Sequence, residues 1–138
     1  SAAAPQVRVA PGLRDPGARP RPASAEVAAG RLPVFVRTQA QADIDDAIGH
    51  YLAQADVNVA SRFAEAVVQA FERLARQPGA GSSRYALLLA LPGLRSWPLR
   101  PWPYLIFYIE GEQAVDVLRV LHGARDIPAT LREPGDPV

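Results

Sequence analysis

The sequence predicts an α+β fold: an N-terminal strand, then a helical hairpin packed on a mainly antiparallel sheet of about four strands. Two observations carry that expectation. From Ala40 to Leu74, apolar residues recur at intervals of three and four, as they do on one face of a helix. From Leu94 onward, β-branched and aromatic residues gather in short runs divided by turn-forming residues. Helices followed by a block of strands read as α+β, because a regular alternation of the two would be needed for a parallel α/β sheet.

Taken in order, Pro33 to Thr38 (PVFVRT) is β-branched enough for a short strand. Ala40, Ile44, Ala47, Ile48, Tyr51 and Leu52 then mark a first amphipathic helix. Asp43, Asp45 and Asp46 lie near its start, where acids are favoured by the helix dipole and are read as solvated charges. A second helix carries the stripe Ala60, Phe63, Val67, Ala70, Phe71 and Leu74, with Asn58 as its expected cap and Gln77 to Gly81 (QPGAG) as its end. The segment from Tyr85 to Leu91 fits a short helix or a strand. Pro92-Gly93 turns the chain into Leu94 to Leu99, Tyr104 to Ile109 (YLIFYI) is a second strand of this block, and Ala114 to Leu121 is a third. A short helix is expected at Pro128 to Leu131, with Asp126 as its N-cap.

Composition sets the domain limits. Residues 1–31 contain nine Ala, five Pro, five Arg and three Gly. Ordering a residue costs about 1–2 kcal/mol, and the sizeable apolar side chains here, Val7, Val9, Leu13 and Val27, return only about 2 kcal/mol each on burial. A disordered extension is therefore expected over 1–31, a folded domain over 32–132 and a tail over 133–138. The chain has no cysteine, and its two histidines, His50 and His122, lack metal-ligand spacing, so neither a metal site nor another cofactor is expected. No apolar run approaches the roughly 20 residues of a membrane helix, and a cytoplasmic protein is the default expectation. All fifteen cations are arginine, and the net charge of +1 argues against a general grip on nucleic acid.

Several blocks together, LPGLRSWPLRPWPYLIFYIE, VLRVLHGARDIPATL, ADIDDAIGHYLA and ASRFAEAVVQAFERLARQPGAGS, resemble the ParE toxins of the RelE/ParE superfamily, often called plasmid stabilisation proteins. The likeness spans about Val34 to Leu131. It implies the toxin of a type II toxin-antitoxin system, a ParD-like antitoxin as partner, and DNA contact only through that antitoxin. The superfamily holds two activities. ParE-like members poison DNA gyrase by binding, whereas RelE-like members cut messenger RNA on the ribosome.

The choice between them rests on individual residues. Cleavage through a 2′-hydroxyl requires a base, an acid and cations facing the phosphorane. The resemblance keeps cations at Arg100, four residues before Tyr104, and at Arg125. It places Leu105 where an arginine is often found and Leu131 near the position of a C-terminal tyrosine, and the chain contains no lysine. A ribonuclease would therefore have to work with Arg100, Arg125 and His122, imidazole being the side chain most suited to proton transfer at physiological pH. The preferred expectation is a gyrase inhibitor that acts by binding, with no catalytic residue and with Arg95, Arg100, Trp102 and Arg125 as contacts to target or antitoxin. His122 and Asp126 are read as a structural clasp. Trp97 and Trp102 are expected on opposite faces, one in the core and one toward a partner. An inactive module that binds only the antitoxin is the remaining alternative.

Overall fold

The structure, a computed structural model, describes residues 7–9 and 30–132. Its strands are β1 (Val7–Val9), β2 (Val34–Val36), β3 (Leu94–Pro98), β4 (Tyr104–Glu110) and β5 (Val115–His122), and its helices are α1 (Thr38–Gln54), α2 (Val57–Arg76), α3 (Arg84–Leu89) and α4 (Ile127–Arg132). The five strands form one sheet in the order β1-β2-β5-β4-β3. The meander β3-β4-β5 is antiparallel, β2 lies parallel to β5, and β1 lies parallel to β2. This is the expected α+β fold, with Val7–Val9 as a strand beyond the expected four. The remainder of the proposed 1–31 extension, apart from Gly30 and Arg31, and the 133–138 tail lie outside the described residues.

The helical hairpin covers one face of the sheet. All six stripe residues of α2 are buried, and five of them, Phe63, Val67, Ala70, Phe71 and Leu74, pack with Ala40, Ile44 and Ala47 of α1 onto Val34, Val36, Ile106, Tyr108, Val115, Val117 and Val120. On the opposite face Leu94, Phe107, Leu121 and Ile127 form a smaller core under α3 and α4. All three residues of β2 are buried, and Val34 and Val36 join the hairpin core. In β5, pairing slips by one residue between Phe107 and Tyr108 of its neighbour. The bulge lets Val117 and Val120 face the hairpin together, which a regular period of two forbids.

Three local expectations are corrected. The cap of α2 is Asp56, whose carboxylate accepts from the Val59 amide at 3.0 Å, and Asn58 sits inside the first turn. Two residues between the helices are enough for the reversal, so the helix starts earlier than the apolar stripe. Leu52 does not join the core and is half exposed. Asp43 is not solvated: its carboxylate receives both Arg119 Nε, at 2.8 Å, and Arg119 Nη2, at 3.0 Å, and accepts the Val120 amide at 2.9 Å. The spacing of helix acids cannot reveal a partner that lies 76 residues away on a strand.

Candidate interaction surface

Pro98, Pro101 and Pro103 break up the passage from β3 to β4, and the chain turns through Leu99 to Pro103 with Leu99 N–H bonded to the Tyr104 carbonyl at 2.9 Å and Trp102 N–H to the Leu99 carbonyl at 2.8 Å. This turn breaks strand alternation, so Trp97 and Trp102 both pack half-buried against the larger core instead of on opposite faces. Trp102 meets Tyr51 edge-on at 5.1 Å and Phe63 at 5.3 Å. Much of its ring surface is spent on the fold. Trp97 is covered by Arg73, whose guanidinium carbon stands 5.3 Å from the ring centre.

The aromatic chain continues outward from Phe63 to Tyr104 and from Tyr104 to His122, its cross-strand partner, with ring centres 5.4 and 5.3 Å apart. Burial raises the Tyr104 hydroxyl above the usual tyrosine range, and the positive charge of Arg125 partly offsets this. Arg125 is thus within electrostatic reach of Tyr104, while its side chain is exposed. His122 is also exposed, and its Nδ1 accepts the Ala124 N–H at 3.0 Å. The neutral ring therefore carries its proton on Nε2, presenting a donor to solvent. Asp126 accepts from Ala129 N–H at 3.2 Å, and its carbonyl accepts from the Thr130 amide and hydroxyl at 3.0 and 2.8 Å. It caps α4, and no ion pair joins it to Arg125 among the described residues.

Arg95 occupies a different setting. Its Nε donates to Glu110 at 2.7 Å and its Nη1 to the Gly81 carbonyl at 2.8 Å, so its charge is already matched. Gly81 also donates its N–H to the Tyr108 hydroxyl at 2.9 Å, and that hydroxyl donates to the Pro78 carbonyl at 2.8 Å. A Cβ at Gly81 would stand 2.6 Å from the same hydroxyl, so this close approach requires glycine. The node fixes the loop after α2 against the edge strand β3, where Ser82 and Ser96 exchange backbone hydrogen bonds of 2.8 and 2.9 Å.

Beside that node opens a cleft of about 440 Å³, lined among others by Ser82, Arg84, Tyr85, Trp97, Arg100 and Leu105. Arg100 is exposed and, among the described residues, forms no hydrogen bond or ion pair. The same holds for the Arg125 side chain. No hydrogen bond or ion pair links Arg100 to His122 or Arg125 among the described residues. Sequence reasoning singled out Arg100 but missed Arg84, which comes to the cleft from α3, a segment whose helical state the apolar run Leu87 to Leu89 left open. It also missed the Arg37–Asp116 pair, bonded at 2.9 and 2.6 Å, which ties β2 to β5. Donating to the Asp116 carboxylate raises the Arg37 guanidinium further above its already high range, against an opposing effect of burial.

Among the described residues, no three histidine, aspartate or glutamate side chains gather where they would hold a metal ion, and no helix is long and apolar enough to cross a membrane. The fold is that of a small α+β domain with exposed cations on its surface. A family model described as ParE toxin of type II toxin-antitoxin system, parDE, matches residues 34–127, and the chain belongs to that family. Among solved structures, one from the chromosomal ParDE toxin-antitoxin system of P. aeruginosa is similar in fold. It has 21% identity and a TM-score of 0.57, with 67% of this chain and 97% of that chain covered. No curated protein matches the sequence.

Proposed function

We propose that this ParE-family toxin inhibits DNA gyrase by binding it, and that a ParD-like antitoxin neutralises it in the cytoplasm. The observation that carries this reading is the state of the groups kept at the family positions. Arg100 and Arg125 are exposed and unpaired among the described residues, ready to meet an anionic surface, whereas His122 turns its Nε2 proton outward and has its other nitrogen occupied. A general base must offer a lone pair to the proton it removes, and this ring offers a donor. Exposed arginines suit macromolecular recognition, since their planar donors match carboxylates and phosphates.

The test is supercoiling by purified gyrase in the presence of the full chain. Inhibition that is relieved by the antitoxin encoded beside it supports the proposal, and undiminished supercoiling at saturating toxin contradicts it. Arg100→Ala and Arg125→Ala should each raise the concentration needed for half-inhibition several-fold.

A further inference from the structure

The outer face of α3 is apolar and exposed. Leu87 is 87% exposed and Leu88 57%, although leucine side chains of this size return about 2 kcal/mol each when buried. Leu91 joins them: Ala90 adopts the left-handed conformation at φ 53, and the Leu91 N–H bonds back to the Ala86 carbonyl at 3.1 Å, which holds Leu91 against the end of the helix. A non-glycine residue in that conformation costs about 1 kcal/mol and is kept where the surroundings require it. Arg84, Leu87 and Leu88 stand at i, i+3 and i+4, so they share one helix face, and Arg84 also lines the cleft that contains Arg100. At the other end Arg132 reaches the Leu88 carbonyl at 3.4 Å. The result is an apolar ridge flanked by Arg84, Arg100 and Arg132. Among the described residues none of the three is paired with a carboxylate.

We infer that this ridge and cleft form a docking surface for an amphipathic segment of a protein partner, one carrying leucine- or isoleucine-type side chains beside glutamates or aspartates. Charge selects that occupant. A second copy of this chain would set the same arginines against each other across a two-fold axis. Nucleic acid would supply anions, but single-stranded binding sites rely on open aromatic faces for base stacking. Here the Tyr85 ring carries the Arg84 guanidinium at 5.1 Å and meets Phe107 at 5.3 Å, while Arg73 covers Trp97. Neither cleft aromatic presents an unoccupied platform. An apolar segment bearing acids matches both halves of the surface, with leucines on the ridge and carboxylates at the bidentate arginines.

The inference deepens the proposed function, since it rests on the reading that this toxin works by binding. The experiment titrates the full-length chain into a fluorescein-labelled 18-residue helical peptide of leucine and glutamate with one apolar face. A peptide with every glutamate replaced by lysine and a 20-nucleotide single-stranded RNA run in parallel. Saturable binding of the glutamate peptide is expected, weakened at least ten-fold by Leu87→Ser with Leu88→Ser and by Arg84→Glu with Arg100→Glu. All four residues are at the surface, and circular dichroism verifies that the variants fold. No saturable binding, equal binding of the lysine peptide, tighter binding of RNA, or loss of the ridge to self-association that Leu87→Ser abolishes would each overturn the inference. Gyrase supercoiling is measured on the same proteins. A bound peptide with untouched gyrase removes only the proposed target, and inhibited gyrase with an unbound peptide removes only this surface.

Discussion

Asp43 of α1 and Arg119 of β5 form a two-pronged ion pair in a nearly buried setting, with 9% and 13% of their side chains exposed. The same carboxylate accepts the Val120 amide, so the hairpin is anchored to the sheet by one side chain with three hydrogen bonds. Removing the Asp43 carboxylate takes two hydrogen bonds from the nearly buried Arg119 guanidinium and one from the Val120 amide. Asp43→Ala should therefore cost about 3–5 kcal/mol, read as a lower urea midpoint with an unchanged slope. The double replacement Asp43→Leu with Arg119→Met should recover much of that loss. A cost for Asp43→Ala below about 1 kcal/mol would mean that the pair behaves as an ordinary surface bridge.

Tyr108 ties the loop after α2 to the sheet, and its hydroxyl is raised above the ordinary tyrosine range by burial, in spite of the Gly81 amide and the Arg95 charge. A group with a higher pKa in the folded state adds stability that is complete below its unfolded value, about 10, and is lost as pH rises through the folded value. Stability should consequently fall above about pH 10, and Tyr108→Phe should flatten part of that fall. Tyr51 and Tyr104, raised by burial as well, contribute to the remainder. At neutral pH the same substitution leaves Gly81 N–H and the Pro78 carbonyl without a partner and should cost about 1–3 kcal/mol. Urea titrations at neutral and alkaline pH measure both effects.

The clasp at the end of β5 separates into two roles. Asp126→Ala removes the α4 cap and should cost about 1 kcal/mol. His122→Ala removes one exposed acceptor for Ala124 N–H and should cost less, since water can serve that amide. Thermal unfolding of the two variants side by side gives the order. A larger loss at His122 would indicate that its contact with Tyr104 carries more of the fold than its exposure implies.

The parts of this fold that were legible in the sequence are those governed by local period. The α2 stripe from Ala60 to Leu74 is buried at every position read from it, and the strands at Leu94, Tyr104 and Ala114 lie within a residue or so of where they were expected. Pairing was not legible. Asp43 and Arg119, or Arg37 and Asp116, are 76 and 79 residues apart, and nothing in either neighbourhood specifies the other. The bulge that turns Val117 and Val120 to one side, and the proline-rich turn that turns Trp97 and Trp102 to one core, both break the alternation from which faces are inferred. At the candidate surface, Arg100 and Arg125 could be chosen by family position. That Arg95 is neutralised by Glu110, and that Arg84 shares the cleft with Arg100, depends on tertiary contacts alone.

The most direct measurement of the central claim compares wild type and His122→Ala in two assays run together: gyrase supercoiling, and ribosome-dependent cleavage of a defined message. Toxicity through binding predicts that both proteins inhibit gyrase equally and that neither cuts the message. Message cleavage by the wild type that disappears in folded His122→Ala, with supercoiling untouched by either protein, would contradict it.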